Sequence, residues 1–329
     1  MKKIEVTIIC KTYNHEKYVR QCLEGLVNQK TSFLYEAIVH DDASTDNTAD
    51  IIKEYAKKYP EIIKPILQKE NQYSKGINAT EKYIMPIAKG RYIARIEGDD
   101  YWCNENKLQQ QYDALENNKE CSICVHKTQF CSEEGELLNR FFPSEKCGIN
   151  KSGTISKKTI ANIFLADISY PFHFSSYFYR REILEPKYNY KNWTKKGRDI
   201  HFLQSALLAG DFYYIDNIMS IRRRDVPGSW TLRQKSEGIE KKAKILKERM
   251  EENLRFNTYS NYKFDKQVMT GIMNSLPKLE EYKKGKAKEF LEKNEFDYKQ
   301  VVKYSTKKNI IKLILLMLNR KIYVTLVKK

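Results

Sequence analysis

The first hundred residues alternate between apolar runs of strand length and amphipathic segments with helical spacing. In the first amphipathic segment, apolar residues recur in pairs four positions apart, which places them on one face of a helix. Strands that alternate with helices of this length form a mostly parallel sheet. Each helix is a right-handed crossover that carries the chain back, so that the next strand runs in the same direction as the one before. We therefore predict an α/β fold whose sheet is flanked by helices. The strand-like runs are residues 4–10, 35–40, 62–68 and 91–96, and the helical segments are residues 18–27 and 51–59.

The pattern changes in two later parts of the chain. Residues 132–169 are polar and irregular, which predicts a loop-rich insertion over a site. After Trp230 the composition becomes rich in Lys and Glu with helical spacing. We therefore predict a first domain over residues 1–231 and a helical extension over residues 232–329. Between these parts, strand-like segments are expected at 121–130, 175–180 and 213–223, and a helix at 200–208.

The chain is strongly basic, with a net charge of +17. Such a charge favours a polyanionic partner, and nucleic acid, an anionic membrane surface and phosphate-bearing substrates are all compatible with it. The seven cysteines are odd in number and scattered, which indicates reduced thiols and a cytoplasmic protein. No signal peptide is expected, since Met1-Lys2-Lys3 leads directly into a strand-length run.

Two acidic clusters follow strands of the predicted sheet. Residues 41–46 read Asp-Asp-Ala-Ser-Thr-Asp, and residues 97–100 read Glu-Gly-Asp-Asp. Taken singly, the first could cap a helix through Asp46 and the second could be a solvated turn. Together they would meet at one sheet edge, where like charges repel unless a cation joins them. Adjacent carboxylates suit Mg²⁺ or Mn²⁺, which also takes phosphate oxygens as ligands.

The sequence lacks the common phosphate-binding loops. There is no G-x-x-x-x-G-K-[ST], and the Thr12-Tyr13-Asn14 that follows the first strand is not a G-x-G-x-x-G. The sequence therefore argues against a P-loop NTPase and against a Rossmann-fold dehydrogenase.

Four segments together resemble one enzyme family. In order and spacing, Thr12-Tyr13-Asn14 and the segments 41–46, 97–102 and 107–111 are similar to the family 2 glycosyltransferases. The similarity covers roughly residues 4–231. It implies the GT-A fold, a Rossmann-like sheet, and inverting sugar transfer of the kind found in bacterial surface-polysaccharide synthesis.

The resemblance implies a role for each acidic residue on the donor side. Asp42 would hydrogen-bond the nucleotide base, with Thr12 and Tyr13 bordering the same pocket. Asp99 would lie near the ribose and the metal, and Asp100 would ligate the Mn²⁺ or Mg²⁺ ion that bridges the diphosphate.

The resemblance also implies residues on the acceptor side. Tyr101 and Trp102 would shape the floor near the sugar or the acceptor. The general base would be Asp199, which precedes a predicted helix. Its structural alternative is the N-cap of that helix, beginning near Ile200.

One departure from the family pattern concerns the last strand. Many relatives carry Tyr-Arg-x-His before Gly-x-Trp, whereas this chain has Arg222 in the Tyr position and Asp225 in the His position. Arg222, Arg223 and Arg224 could supply positive charge to the diphosphate directly, because guanidinium pairs well with phosphate. The alternative is an exposed basic turn.

The resulting functional prediction is a metal-dependent glycosyltransferase of the hexosyltransferase type. Its partners would be a nucleotide-diphosphate sugar donor and a glycan or lipid-linked glycan acceptor. One alternative is a nucleotidyltransferase, although the Gly-rich loop expected after the first strand is missing. Another is a basic protein that binds nucleic acid or membrane without catalysis, although acidic clusters would repel a nucleic-acid backbone. No nucleic-acid partner is therefore predicted.

The C-terminus combines basic and apolar residues. Lys307-Lys308 precede an apolar-rich stretch at 310–318, which as a helix is about 14 Å long against a bilayer core of about 30 Å. It cannot cross a membrane. It could lie on the inner face of the cell membrane with its lysines towards anionic headgroups, or dock on the catalytic domain.

Overall fold

A computed structural model describes residues 3–167, 169–188, 199–227 and 238–318. The chain divides into two compact units, residues 1–157 with 171–227 and residues 158–170 with 228–329. The segment 158–170, which the sequence analysis placed within the first domain, thus belongs with the second unit. The predicted boundary between residues 231 and 232 lies outside the described residues and stays a prediction.

The first unit is built on a sheet to which the described residues contribute ten strands. Their order is β3-β2-β1-β4-β9-β6-β10-β5, with β7 beside β6 and β8 beside β10. The strands are β1 (Ile4–Thr12), β2 (Leu34–Asp41), β3 (Ile63–Leu67), β4 (Tyr92–Glu97), β5 (Tyr101–Trp102), β6 (Cys121–Cys131), β7 (Leu137–Phe142), β8 (Gly153–Ile155), β9 (Phe178–Arg180) and β10 (Asp211–Arg223).

The sheet is parallel in its first half and mixed in its second. Strands β3, β2, β1 and β4 run parallel, as the strand-helix alternation predicts. Strand β9 is antiparallel to both of its neighbours, β4 and β6. Strands β6 and β10 are again parallel. The prediction of a parallel sheet is therefore confirmed for β1 to β4. In the other half of the sheet, short antiparallel strands lie beside the parallel pair β6 and β10.

The predicted loop-rich insertion at 132–169 contains regular structure. Strand β7 folds back antiparallel to β6, and β8 pairs antiparallel with β10. Both are short, and the residues of β7 are exposed or half-buried, so neither shows the apolar alternation that identifies a buried strand. The prediction of an irregular segment was therefore wrong for these two strands.

Helices cover both faces of the sheet. On one face, α1 (Val19–Val27), α2 (Thr48–Lys58) and α3 (Lys107–Asn117) contribute to a core with the apolar residues of β1, β2 and β4. On β4, Arg95 alternates with the residues of this core, and its guanidinium lies 5.4 Å from the ring of Phe202 in α5 (Asp199–Ala209). Because successive strand residues face opposite sides, α5 packs against the other face.

The second unit is helical, as the Lys/Glu-rich composition predicts. Its helix α7 (Asp265–Tyr282) packs so closely on the π-helical turn Asn162–Ala166 that a Cβ on Gly271 would lie 1.9 Å from the Leu165 carbonyl oxygen. Within the described ranges, no helix is both long enough and apolar enough to span a membrane. The remaining helices are α4 (Lys157–Ala161), α6 (Ile239–Tyr259), α8 (Lys286–Lys293), α9 (Tyr298–Tyr304) and α10 (Lys307–Leu318).

The C-terminal helix α10 docks on α7 within the second unit. Asn309 Nδ2 donates to Asn274 Oδ1 at 2.8 Å, and Lys312 pairs with Glu281 at 3.2 Å. The predicted docking of this helix on the catalytic domain stays a prediction.

Candidate active site

The end of β1 brings the two acidic clusters to one edge of the sheet. Strand β1 lies between β2 and β4, with Thr12 opposite Asp41 and Lys11 opposite Glu97. The Thr12 hydroxyl donates to Asp41 Oδ1 at 3.0 Å, and the Gly98 N–H donates to the Lys11 carbonyl at 2.8 Å. The clusters are thus neighbours across a single strand, as expected of carboxyl ends in a parallel sheet.

Asp42 is buried and anchors a loop that follows β3. Its two carboxylate oxygens accept hydrogen bonds from the N–H groups of Gln72 and Tyr73, at 2.8 and 3.0 Å. Asn71 donates to the Asp42 carbonyl at 3.1 Å. The side chain that the resemblance assigns to the nucleotide base therefore also shapes the wall of that pocket. Tyr13 lies at the same edge with its side chain exposed.

Gly98 is required by close packing between β1 and the loop that follows β4. A Cβ at this position would lie 2.5 Å from Thr12 Cγ2 and 2.9 Å from His15 Nδ1. His15 Nδ1 is itself buried and has no hydrogen-bond partner among the described residues. A larger residue would push the carboxylates of the next two residues away from β1.

Asp100 is buried and held by two donors from distant parts of the chain. Ser175 Oγ donates to its Oδ2 at 2.7 Å, and the Arg223 N–H donates to its Oδ1 at 3.0 Å. His173 Nδ1 lies 3.7 Å from Oδ2. Burial raises the pKa of Asp100 well above its usual range, and the adjacent Asp99 carboxylate adds to the rise.

Asp99 differs from its neighbour in exposure. Its side chain is half-buried, and among the described residues none donates a hydrogen bond to its carboxylate. Its backbone carbonyl accepts from Arg223 Nε at 3.2 Å. One carboxylate of the pair thus faces outward, and the other is fixed from within.

Arg223 connects the acidic loop to two other segments. Besides its bond to Asp99, its guanidinium donates to the Glu133 carbonyl at 2.9 Å and to Gln21 Oε1 at 2.7 Å. The residue is only 8% exposed. Its guanidinium therefore donates its hydrogen bonds to oxygen atoms of the protein. Arg222 and Arg224 instead lie over the ring of Phe130.

A cavity of about 530 Å³ opens beside Arg223. Tyr101, predicted on the acceptor side, lines it together with Tyr18 and Glu133, whose side chains share a hydrogen bond of 2.9 Å. Trp102, the other predicted acceptor-side residue, is 4% exposed. Its ring belongs to the core beneath the loop and does not line this cavity, so its place near the sugar or the acceptor stays a prediction.

Sequence reasoning missed Ser175 and His173. They occupy a 3₁₀ turn (Phe174–Ser176) and the residue before it. The strand predicted over residues 175–180 begins only at Phe178, so the prediction was wrong for Ser175. Nothing local distinguishes them from other loop residues, and only their contact with Asp100 reveals them. Asp199 begins α5, but its side chain lies outside the described part of the structure, so the general-base assignment stays a prediction.

The carboxylates fit a divalent ion that is shared with substrate. In the described part of the chain, no three His, Cys, Asp or Glu side chains gather as a metal site. A Mg²⁺ or Mn²⁺ ion that takes substrate phosphates needs only one or two carboxylates. Asp99 is open, and each Asp100 oxygen accepts one hydrogen bond and retains a second lone pair.

Residues 7–219 match the family model described as Glycosyl transferase family 2. The chain belongs to this family. The match begins in β1 and ends in β10, so it includes the whole edge that carries the acidic residues. A family 2 glycosyltransferase is an enzyme that transfers a sugar, and neither the nucleotidyltransferase nor the non-enzymatic alternative is favoured.

Curated relatives match a part of the chain. An uncharacterized protein of Mycobacterium tuberculosis is 31% identical over 226 residues, which are 68% of this chain and 60% of that protein. The poly(ribitol-phosphate) beta-glucosyltransferase of Bacillus spizizenii is 33% identical over 121 residues, which are 36% of this chain and 19% of that enzyme. The chain thus spans less than two thirds of the length of these relatives.

Solved structures share the fold. TarS 1–349 of S. aureus, in complex with UDP-GlcNAc, has a TM-score of 0.62 at 16% identity, covering 97% of this chain and 92% of that one. The mannosyltransferase PcManGT from Pyrobaculum calidifontis, in complex with GDP-Man and Mn²⁺, has a TM-score of 0.52 at 14% identity, covering 96% and 87%. These likenesses confirm the predicted GT-A fold of the glycosyltransferase.

Proposed function

We propose that this glycosyltransferase moves a hexosyl unit from a nucleotide diphosphate to a hydroxyl of a glycan or lipid-linked glycan in bacterial polysaccharide synthesis, with inversion. The observation that carries the proposal is the meeting of Asp42, Asp99 and Asp100 at the end of β1. A base-binding carboxylate and a metal-binding pair at one sheet edge match the two ends of a nucleotide diphosphate.

The donor is held from its base to its diphosphate. Asp42 accepts a hydrogen bond from the base, in a pocket bordered by Thr12, Tyr13 and the loop that Asp42 anchors. Asp99 lies near the ribose, and Asp99 with Asp100 would hold Mn²⁺ or Mg²⁺. When bound there, the ion supplies charge that offsets the charge developing on the leaving diphosphate.

The acceptor is activated by a carboxylate. A sugar hydroxyl is a weak nucleophile, so Asp199 accepts its proton as the oxygen attacks the anomeric carbon. Attack from the face opposite the diphosphate turns an α-linked donor into a β-glycoside. Tyr101 lines the cavity on the acceptor side, and Trp102 supports it from below.

Names of similar proteins support the substrate classes. The Bacillus relative is named for glucosyl transfer to poly(ribitol phosphate), and the two structural neighbours hold a UDP-sugar and a GDP-sugar. The mannosyltransferase also holds Mn²⁺. These names favour a nucleotide-sugar donor, a cell-surface polymer or its precursor as acceptor, and a divalent cofactor.

The test of the activity is release of the nucleotide. The protein is incubated with UDP-, GDP- and dTDP-sugars in Mn²⁺, and free nucleotide diphosphate and thermal shift are measured. One sugar nucleotide should raise the unfolding temperature and be hydrolysed slowly by water in the absence of an acceptor. Absence of both responses with every donor would contradict the proposed function.

We also propose that α10 places the enzyme on an anionic membrane surface. While one side of this helix packs on α7, Ile311 and Ile314 remain 58% and 41% exposed beside the exposed Lys307 and Lys308. Exposed apolar residues next to lysines suit the interface of an anionic bilayer.

Vesicle sedimentation tests the membrane proposal. The full chain should bind phosphatidylglycerol vesicles and not phosphatidylcholine vesicles, and the double substitution Ile311→Ser with Ile314→Ser should abolish binding. Leu34→Ser, at an exposed apolar position of the first unit, is the control. Unchanged partition after the double substitution and after deletion of residues 307–329 would remove the proposal.

A further inference from the structure

Lys107 is a fully buried lysine below the acidic loop. Its amine lies 3.9 Å from the centroid of the Trp102 ring and donates to Gln111 Oε1 at 2.6 Å. Among the described residues, no carboxylate pairs with it. A buried cation without a counter-charge is costly, so its retention in the core calls for a reason beyond packing.

Gln111, one helical turn after Lys107, extends the contact to the 3₁₀ turn. Its amide nitrogen donates to the Ser176 carbonyl at 2.8 Å and to the Cys124 carbonyl at 3.1 Å. Its oxygen is taken by Lys107, so the amine fixes which way the amide points. The spacing of four residues places both side chains on one face of α3.

Trp102 reaches the same turn from the other side of the amine. Its indole N–H donates to the Ser175 carbonyl at 3.0 Å. The Lys107 amine lies against the π face of the indole and holds the plane of the ring by this contact. Two of the three carbonyls of the turn, those of Ser175 and Ser176, are therefore bound by side chains that contact Lys107.

The 3₁₀ turn also holds the Asp100 carboxylate. Ser175 Oγ donates to Asp100 Oδ2 at 2.7 Å, and the Ser175 N–H donates to His173 Nδ1 at 3.4 Å. His173 Nδ1 is 3.7 Å from the same Asp100 oxygen. A displacement of the turn would thus move both groups that face Oδ2.

We propose that Lys107 and Gln111 are positioning residues, which act through Trp102 and the Phe174–Ser176 turn to set the place of the Asp100 carboxylate. The consequence for turnover rests on the proposed function, in which Asp100 binds the metal. The positioning of the Asp100 carboxylate does not rest on the proposed function. The Lys-x-x-x-Gln spacing that marks the family resemblance thereby acquires a physical role.

The test uses Lys107→Met, which keeps the length of the side chain and removes the charge, and Gln111→Glu, which keeps an acceptor for Lys107 and removes the N–H donors. Gln110→Ala is the matched control, because no described residue bonds its side chain. Unfolding temperatures are measured for all three, so that loss of folded protein is separated from loss of function.

The first readout is the imidazole spectrum of the full chain labelled with ¹⁵N-histidine. Only five histidines contribute, and His173→Gln identifies the signal of that ring. Lys107→Met and Gln111→Glu should both shift the His173 resonances, whereas Gln110→Ala should leave them in place. Unchanged His173 resonances in both variants would overturn the proposal, whether or not the protein turns over a sugar nucleotide.

The second readout separates binding from chemistry. For donor hydrolysis in Mn²⁺, kcat should fall roughly 10- to 100-fold, the size of effect expected when a reacting group is misplaced by about 1 Å. KM for the donor should change by less than about threefold, because the base pocket is untouched. A fall in kcat no larger than the fall in folded protein would count against the proposal. If the wild type neither binds Mn²⁺ nor releases nucleotide, the proposed function fails, and the imidazole spectrum still decides the positioning role.

Discussion

The backbone N–H of Arg223 donates a hydrogen bond to Asp100 Oδ1 at 3.0 Å. The two residues are 123 positions apart in the chain, and β10 carries one while the loop after β4 carries the other. The same arginine binds the Asp99 carbonyl through its side chain. The last strand of the sheet therefore fixes the geometry of the acidic pair.

Replacing Arg223 by Lys should weaken both the fold and the site. A lysine amine cannot reproduce three divergent guanidinium bonds, so at least one buried acceptor loses its partner, at a cost of about 1–3 kcal/mol in the free energy of unfolding. Urea unfolding measures the loss. Arg224→Lys, at the next position, is the control and should change the free energy by less than about 0.5 kcal/mol. Equal stability of the two variants would contradict the role given to Arg223.

Asp100→Asn should uncouple nucleotide binding from the metal. The amide lacks the charge that attracts Mn²⁺, while the base pocket around Asp42 is unchanged. Titration calorimetry should show that Mn²⁺ raises the affinity of the wild type for the nucleotide diphosphate. The affinity of the variant should be the same with and without Mn²⁺. A metal response retained in the variant would assign the ion to other residues.

Asp199→Asn should abolish transfer while nucleotide binding persists. Removing a general base lowers a rate by about 10²- to 10⁴-fold, and the amide cannot accept the proton. Transfer to an acceptor and the Kd of the nucleotide are measured side by side. Transfer at close to the wild-type rate would show that another group is the base and leave Asp199 as the start of α5.

Lys107 should give the free energy of unfolding a distinct pH dependence. Burial lowers the pKa of Lys107 to about 7, whereas in the unfolded chain it is about 10.4. Between these values the unfolded state binds more protons, so this contribution to the free energy of unfolding increases as pH rises from 7 towards 10. The increase is up to about 4 kcal/mol, since one pKa unit is about 1.4 kcal/mol.

Among the described residues, Cys124 and His126 face Lys107, and in the folded state neither changes charge in that window. Burial raises the pKa of the Cys124 thiol, and burial lowers the pKa of His126 well below its usual range. Lys107→Met should therefore abolish the increase. Urea unfolding of wild type and variant at about pH 6.5, 8 and 9.5 measures it, and parallel curves for the two proteins would refute the prediction.

Ala43→Gly should stabilise the protein. Ala43 has φ 62°, a left-handed conformation that a Cβ disfavours by about 1–2 kcal/mol. Part of that gain is offset by the greater freedom of glycine in the unfolded chain, so an increase of about 0.5–1 kcal/mol in the free energy of unfolding is expected. Ala49→Gly, inside α2, is the control and should destabilise by a similar amount. A loss of stability at both positions would contradict the argument.

Much of this architecture follows from local sequence pattern. Alternating periods identify β1 to β4 and the helices between them, because burial of one face imposes period two on a strand and period 3.6 on a helix. Parallel pairing then places the segments after β2 and β4 together, so Asp42 and Asp100 could be assigned to one edge before any coordinates.

The tertiary structure alone decided what surrounds those carboxylates. Ser175 is 75 residues from Asp100 and stands in no periodic or charged pattern that points to a partner. Arg223 is 123 residues away, and its basic run predicted a diphosphate partner and not the acidic loop that it binds. The burial of Lys107 is equally invisible in a sequence rich in exposed lysines. Periodicity records which face of an element is buried, whereas the partners of a buried polar group depend on which distant segments the fold brings against it.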